Sequence, residues 1–231
     1  MEQFVLNDIF DTKGIEYIIV ISFFMVLLVF WHMLNRPLKV REVAAGALKA
    51  LNLDSIRLPR GLFFNRNHTW SYMESSGVAS VGMDDMLLHL TGGVELSYLK
   101  EQEEKVSKGE AIARISQQGK ELVITSPISG VVDRVHASLE KQGEEQDPYK
   151  SWLYHIRPAD WKADTKDAMM ADEASQWTSG ELERVKDYMA AQLSDGEPVL
   201  QAGGELTAYP LKEMDGKAWN DFQEQFLEAG A

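Results

Sequence analysis

An uninterrupted apolar run near the N-terminus constrains this chain most strongly. Residues 15–34 read IEYIIVISFFMVLLVFWHML, and their one carboxylate, Glu16, lies at the N-terminal edge. A helix of about 20 apolar residues matches a hydrocarbon core of roughly 30 Å. A cleaved signal peptide fits less well, because the preceding residues carry Glu2, Asp8 and Asp11 against one lysine, Lys13, and the run is longer than such a segment needs. The sequence therefore predicts one transmembrane helix over residues 15–34, preceded by a short extracytoplasmic N-terminus, residues 1–14.

Basic residues directly after this run predict its orientation. Arg36, Lys39, Arg41 and Lys49 all follow the apolar residues. Because Lys and Arg collect on the cytoplasmic side of membrane helices, we expect an inner-membrane protein whose larger part faces the cytoplasm. Residues 35–57 carry apolar side chains at i, i+3, i+4 spacing, which predicts a juxtamembrane amphipathic helix and linker.

Composition and the lack of common motifs argue against several classes of function. The 231-residue chain has a net charge of -13, which disfavours nucleic acid as a partner because phosphates are bound by clustered Lys and Arg. It has 0 Cys, so disulfides, thiolate metal sites and a cysteine nucleophile are excluded. Its 5 histidines form no HxxxH or HExxH pair, and no GxSxG, P-loop or GxGxxG segment is present. We therefore expect no catalytic residues, no metal site and no enzymatic activity.

Residues 58–161 differ in character from the rest of the chain. Short runs of β-forming residues alternate with turn signals, such as SSG at 75–77 and QQGK at 117–120. This pattern is typical of an all-β barrel or sandwich. Between the runs, a short helical stretch follows Asp84 and ends near Leu90. Asp84 can serve as the N-cap of this helix.

Several short motifs in this region agree in order and spacing with a known family. They are HTW at 68–70, VGMDD at 81–85, GGV at 92–94, Val106 with GE at 109–110, SPISG at 126–130, DPY at 147–149 and WL at 152–153. On these motifs the region resembles the H protein of the glycine cleavage system, a lipoyl-carrying relative of biotinyl and lipoyl domains. The resemblance implies a flattened barrel of two β-sheets and a hairpin that presents a lysine for covalent lipoate. It also implies a role in carrying aminomethyl groups and electrons between the enzymes of that system.

The expected lipoyl-lysine position does not carry a lysine. An ungapped alignment from Gly109 or from Ser126 places it on Gly119, and Lys120 follows one residue later. A shift of one residue in a hairpin can move a side chain to the other face of the sheet. Gly119 itself suits a tight turn, which often needs a positive φ. Two interpretations stay open: a solvated turn without lipoate, or lipoate attached to Lys120.

Residues 162–231 are predicted to form an acidic helical extension. TSGE at 178–181 has the spacing of a capping box and precedes apolar residues at helical spacing through residue 193. A second apolar stripe consists of Ala218, Trp219, Phe222, Phe226 and Leu227. Since burying such side chains is favourable, we expect both segments to pack on the barrel or on a partner.

Together these features predict a mainly β, H-protein-like barrel with an N-terminal transmembrane helix and a C-terminal helical extension. The first functional hypothesis is a non-catalytic, membrane-anchored subunit without a cofactor. Its barrel would dock other protein subunits of a membrane complex, such as a respiratory or redox assembly. The alternative is a membrane-bound lipoyl carrier with lipoate on Lys120.

Overall fold

The computed structural model describes residues 9–34, 51, 53–136, 141–142, 149–192 and 209–228. Within the first helix, side chains are described for residues 17–31. The chain divides into two compact units, Met1–Ala47 and Leu48–Ala231. Most of the predicted juxtamembrane segment 35–57 lies outside the described residues. The same holds for the basic residues that predict the orientation of the apolar run 15–34.

Helix α1, Ile9–Leu34, belongs to the first unit and contains the predicted helical run 15–34. All of its described side chains, residues 17–31, are exposed, including the large rings of Phe23 and Trp31. Across the described ranges, no helix has both the length and the apolar character that crossing a membrane requires. Insertion of residues 15–34 into a membrane stays a prediction.

The second unit holds the strands and the remaining helices. Its strands are β1 (Phe63–Asn65), β2 (Thr69–Met73), β3 (Ala79–Met83), β4 (Val94–Tyr98), β5 (Lys105–Val106), β6 (Ala111–Gln117), β7 (Lys120–Thr125), β8 (Gly130–Val135), β9 (Lys141–Gln142) and β10 (Tyr154–Pro158). Its helices are α2 (Asp85–Thr91), α3 (Trp161–Asp164), α4 (Ala171–Gln192) and α5 (Gly216–Phe222). Single turns of 3₁₀-helix lie at Leu53–Ser55 and Pro210–Glu213, and a π-helical turn at Gln223–Leu227 extends α5.

These strands form two antiparallel sheets, and a fold of two β-sheets is what the family resemblance implies. The six-stranded sheet has the order β1-β2-β3-β10-β8-β5, and the four-stranded sheet has the order β7-β6-β4-β9. Ile112 and Ile124 of the smaller sheet and Val132 and Ile156 of the larger sheet are fully buried in one shared core. The alternation of buried and exposed residues along β6 and β7 places one face of the hairpin on this core.

The predicted cap of α2 is confirmed. The Asp84 side chain accepts a hydrogen bond of 2.8 Å from the backbone N–H of Leu87. The helix ends at Gly92, whose φ of 71° is in the left-handed region and whose N–H bonds the Leu88 carbonyl. This short helix separates β3 from β4, so it joins the two sheets.

The predicted start of the next long helix is wrong. Helix α4 begins at Ala171, and the TSGE segment lies inside it instead of capping it. The first turn already carries Asp172 and Glu173, which suit the positive end of the helix dipole, and Ala174 is fully buried. The helix therefore starts with this packed turn at Ala171 and passes through Gly180, although glycine is a poor helix former.

Both C-terminal apolar stripes pack on the barrel. Leu182 and Val185 of α4 and Trp219 and Phe222 of α5 belong to the same buried cluster as the sheet residues. Residues 209–228, which we call the C-terminal segment, therefore form part of the folded unit. The end of the first stripe, residue 193, lies outside the described residues.

Candidate functional site

The β6–β7 hairpin occupies the place where the family resemblance predicts an attachment lysine. Gln117 pairs with Lys120, which leaves Gln118 and Gly119 as the two turn residues. Their φ angles are 53° and 80°, as a two-residue turn with two left-handed positions requires. Gly119 stands at the tip, and a Cβ there would meet no atom of the described residues within 4 Å. The prediction that Gly119 serves the turn is thus confirmed.

Lys120 is the first residue of β7, and its side chain lies against the C-terminal segment. Its Nζ donates hydrogen bonds of 2.7 Å to the carbonyl oxygens of Lys212 and of Met214. The same nitrogen lies 5.2 Å from the centre of the Trp219 ring, within reach of a cation–π interaction. The idea of a simply solvated turn is therefore wrong for this lysine, because its ammonium is bound by residues far away in the chain.

Burial and charge act in opposite directions on this amine. Burial under the C-terminal segment lowers the pKa of Lys120, because it disfavours the charged form. The nearby carboxylates of Glu213 and Asp215 oppose this effect. The balance leaves an amine that loses its proton more readily than an exposed lysine does.

A cleft of about 640 Å³ opens beside the hairpin tip. Its lining comes from the start of β4 and from both arms of the hairpin: Gly93, Val94, Glu95, Ser116, Gln117, Gln118, Gly119 and Glu121. The Gln117 side chain donates hydrogen bonds to the carbonyls of Thr91 and Gly93, which ties the hairpin to the end of α2. The cleft is open, and polar and apolar surface contribute about equally to its lining. Lys120 is not among the lining residues, whereas its neighbour Glu121 is.

Another polar cluster lies between the barrel and α4. His68 is fully buried, with Nδ1 2.8 Å from an Asp84 oxygen and Nε2 3.9 Å from a Glu181 oxygen. Burial alone would lower the pKa of His68, but the carboxylates of Asp84 and Glu181 outweigh it and raise the pKa. The Trp177 ring covers the His68 ring, with 5.3 Å between the two ring centres. With no solvent access, this cluster suits the docking of α4 better than it suits catalysis.

The other histidines form separate contacts. His155 stacks on Trp152 at 3.8 Å and lies near Glu74, and burial lowers its pKa. His136 makes an edge-on contact with the Trp152 ring, and Nδ1 of His89 lies 2.7 Å from the Asp85 carbonyl oxygen within α2. The His32 side chain lies outside the described residues. Among the residues that are described, no group of three or more metal-ligating side chains converges.

Comparison with known proteins extends this description to a family. The sequence profile described as "Glycine cleavage H-protein" matches residues 62–181, just over half of the chain. A "Probable glycine cleavage system H protein" of Picrophilus torridus is 33% identical over 124 residues, covering 52% of this chain and 96% of the relative. One from Thermococcus kodakarensis is 25% identical over 129 residues, covering 55% and 96%.

A solved structure gives a weaker match over the same extent. The glycine cleavage system H protein from Mycobacterium marinum has a TM-score of 0.43 and 21% sequence identity, covering 52% of this chain and 98% of that chain. The C-terminal segment lies beyond the residues that the family profile matches. On the match of its residues 62–181, this chain belongs to the glycine cleavage H-protein family.

Proposed function

We propose that this chain is a lipoyl carrier of the H-protein type and that Lys120 is its attachment site. The observation that carries the proposal is the lysine amine directly after the turn of the β6–β7 hairpin. Family membership supports it, since the relatives are named as glycine cleavage system H proteins. We thus favour the alternative hypothesis, a lipoyl carrier, over the first hypothesis, a docking subunit without a cofactor.

The hairpin provides several features that lipoate attachment needs. It provides an amine within one residue of the tip, open space around Gly119 and a cleft beside the turn. A lipoyl group on that amine would supply a dithiolane that accepts electrons and carries an aminomethyl group. The contribution of the protein is to present the lysine on the hairpin, and its unmodified amine is held by Trp219 and the carbonyls of the C-terminal segment.

In this role the chain carries a group between enzymes and performs no catalysis itself. Its partners are then the other proteins of a lipoyl-dependent system, which must reach the hairpin tip. The open surface around Gly119 and the cleft beside it are the contact area that this role needs. Nucleic acid is a poor partner for a chain with a net charge of -13.

A second candidate is a docking subunit that carries no lipoate. Two observations favour it: Gly119 occupies the position that aligns with the family lysine, and both carbonyl contacts of Lys120 are made by the unmodified amine. In that case the barrel and the C-terminal segment would act only by surface recognition, for example within a membrane redox complex.

The intact mass of the native protein separates the two candidates. A carrier shows an increase equal to one lipoyl amide, and the modified peptide contains Lys120. A docking subunit shows the unmodified mass in cells whose other lipoyl proteins are fully modified. The unmodified mass would therefore reject the carrier proposal.

We also propose that α1 attaches the chain to a membrane. The proposal rests on the apolar sequence of residues 15–34 and on the exposure of every described side chain from 17 to 31, since such a large apolar surface is unfavourable in water. Washing membranes with alkaline carbonate should leave the protein in the pellet. Full release into the supernatant would contradict membrane insertion.

A further inference from the structure

The C-terminal segment binds the outer edge of β7 as well as its lysine. Strand β7 is at the end of the four-stranded sheet, so one side of its backbone has no neighbouring strand among the described residues. The Gln223 side-chain amide occupies this side: its Oε1 accepts from the Val123 N–H at 2.8 Å, and its Nε2 donates to the Val123 carbonyl at 3.2 Å. The primary amide of Gln223 thus bonds the Val123 backbone N–H and C=O, as a neighbouring strand would.

The two carbonyls that bind Lys120 are held in a defined position. They belong to the 3₁₀ turn Pro210–Glu213 and to Met214, the residue after it. The fully buried Trp219 donates from Nε1 to the Leu211 carbonyl at 2.7 Å, which fixes this turn against α5. The lysine site of the C-terminal segment therefore consists of two oriented oxygens and one aromatic face.

That site matches an ammonium group and does not match an amide. The ammonium of Lys120 has three N–H donors and a positive charge, which serve both carbonyls and the ring of Trp219. An acylated Nζ has one N–H and no charge. It can bond at most one of the two carbonyls, and the acyl group must occupy space next to the other.

We propose that the C-terminal segment is a latch that closes over the free amine of Lys120 and opens more readily when that amine is acylated. This inference rests on the proposed attachment of lipoate to Lys120. In the acylation, neutral Nζ attacks the carbonyl carbon of an activated acyl donor such as an acyl adenylate. A C–N bond forms, the C–O bond to the phosphate breaks, AMP leaves with the electron pair, and Nζ releases one proton to water.

The coupling acts in both directions. If acylation weakens binding of the C-terminal segment, the bound segment must oppose acylation to the same degree. The unmodified protein therefore keeps its hairpin lysine covered. In the modified protein the edge of β7 and the face under α5 are exposed in a larger fraction of molecules, which gives partner enzymes more frequent access to this surface.

Site-specific acetyl-lysine tests the first direction in the full chain. Acetyl-lysine at position 120 carries the same amide as a lipoyl group. It should accelerate amide hydrogen exchange in residues 209–228 roughly tenfold, the effect expected for losing a hydrogen bond to a charged group. Acetyl-lysine at position 105, an exposed residue of β5 in the other sheet, is the matched control and should change nothing there. Unchanged protection in the position-120 protein would overturn the latch, provided that exchange in β6 shows an intact barrel.

The variant Gln223→Ala tests the reverse direction. It removes the two contacts with Val123 and leaves Lys120 in place. The rate at which N-hydroxysuccinimidyl acetate modifies Lys120, measured relative to Lys105, should rise several-fold. An unchanged ratio would contradict the latch. Both tests use acetyl probes, so a native protein without lipoate would refute the proposed function and still leave the latch to be decided by these measurements.

Discussion

The Nζ of Lys120 lies 5.2 Å from the centre of the Trp219 ring, so the hairpin lysine of this family member is covered by a segment that the family profile does not include. This contact links the H-protein-like barrel to the C-terminal segment. It also means that modification of the lysine and docking of the segment cannot be independent, because they use the same nitrogen atom.

The contact between α4 and α5 should be weakened by Tyr188→Phe. The buried Tyr188 hydroxyl donates a hydrogen bond of 2.6 Å to the Ala218 carbonyl, and the variant leaves that carbonyl with one partner fewer. We expect a loss of about 1–3 kcal/mol in the free energy of unfolding, measured by urea titration. Tyr72→Phe is the control. Because Tyr72 is 46% exposed, removing its hydroxyl should change the free energy of unfolding only slightly. Equal stability of the two variants would show that the α4–α5 hydrogen bond contributes nothing.

Two glycine-to-alanine changes should have opposite effects. A Cβ at Gly82 would lie 2.6 Å from the Trp70 ring, so Gly82→Ala forces this buried indole to move. We expect it to destabilise the protein by about 1–3 kcal/mol. A Cβ at Gly180 in helix α4 meets no atom of the described residues within 4 Å, so Gly180→Ala should stabilise the protein by about 0.5–1 kcal/mol. Thermal unfolding measures both, and a destabilising Gly180→Ala would contradict the helical assignment there.

Local pattern predicted the barrel well. Alternating side chains, the turn at Gln118 and Gly119, and the cap at Asp84 each depend on residues close together in sequence, and the structure contains all three. The start of α4 was not predictable in the same way. Burial of Ala174 extends the helix by tertiary packing, while the capping-box spacing at 178–181 is a local signal that this packing overrides.

The candidate site could be predicted only in part. The family motifs locate the hairpin, and they show that Lys120 is one residue from the aligned position. The atoms that bind its amine are backbone carbonyls of Lys212 and Met214, and a carbonyl is present at every residue, so no sequence pattern marks it. The one usable signal is the apolar stripe around Trp219. It indicates that these side chains are buried, but it does not identify the surface on which they pack.

The buried His68 should titrate above its ordinary pKa of 6.5. Burial lowers the pKa, but Asp84 and Glu181 face the ring and raise it further than burial and the nearby Arg184 lower it. A raised folded-state pKa means that protonated His68 stabilises the fold below pH 6.5, and that this contribution is lost as the pH rises through the folded-state value. His155, whose pKa is lowered by burial, contributes in the opposite sense, so the two residues must be followed separately.

Nuclear magnetic resonance titration of the individual imidazole rings makes this measurement. Glu181→Gln removes one of the two carboxylates and should lower the pKa of His68 while leaving that of His155 unchanged. A His68 ring that titrates below 6.5 in the wild-type protein would show that burial outweighs its carboxylate partners.

The most direct test of the carrier proposal is peptide mass spectrometry of the native protein across Lys120, with Lys120→Arg expressed in the same cells as the control. The proposal predicts a lipoyl amide on Nζ of Lys120 in the wild-type chain and an unmodified peptide in the variant. If the wild-type peptide is unmodified while other lipoyl proteins of the same cells carry their lipoate, Lys120 is not an attachment site and the carrier function is wrong.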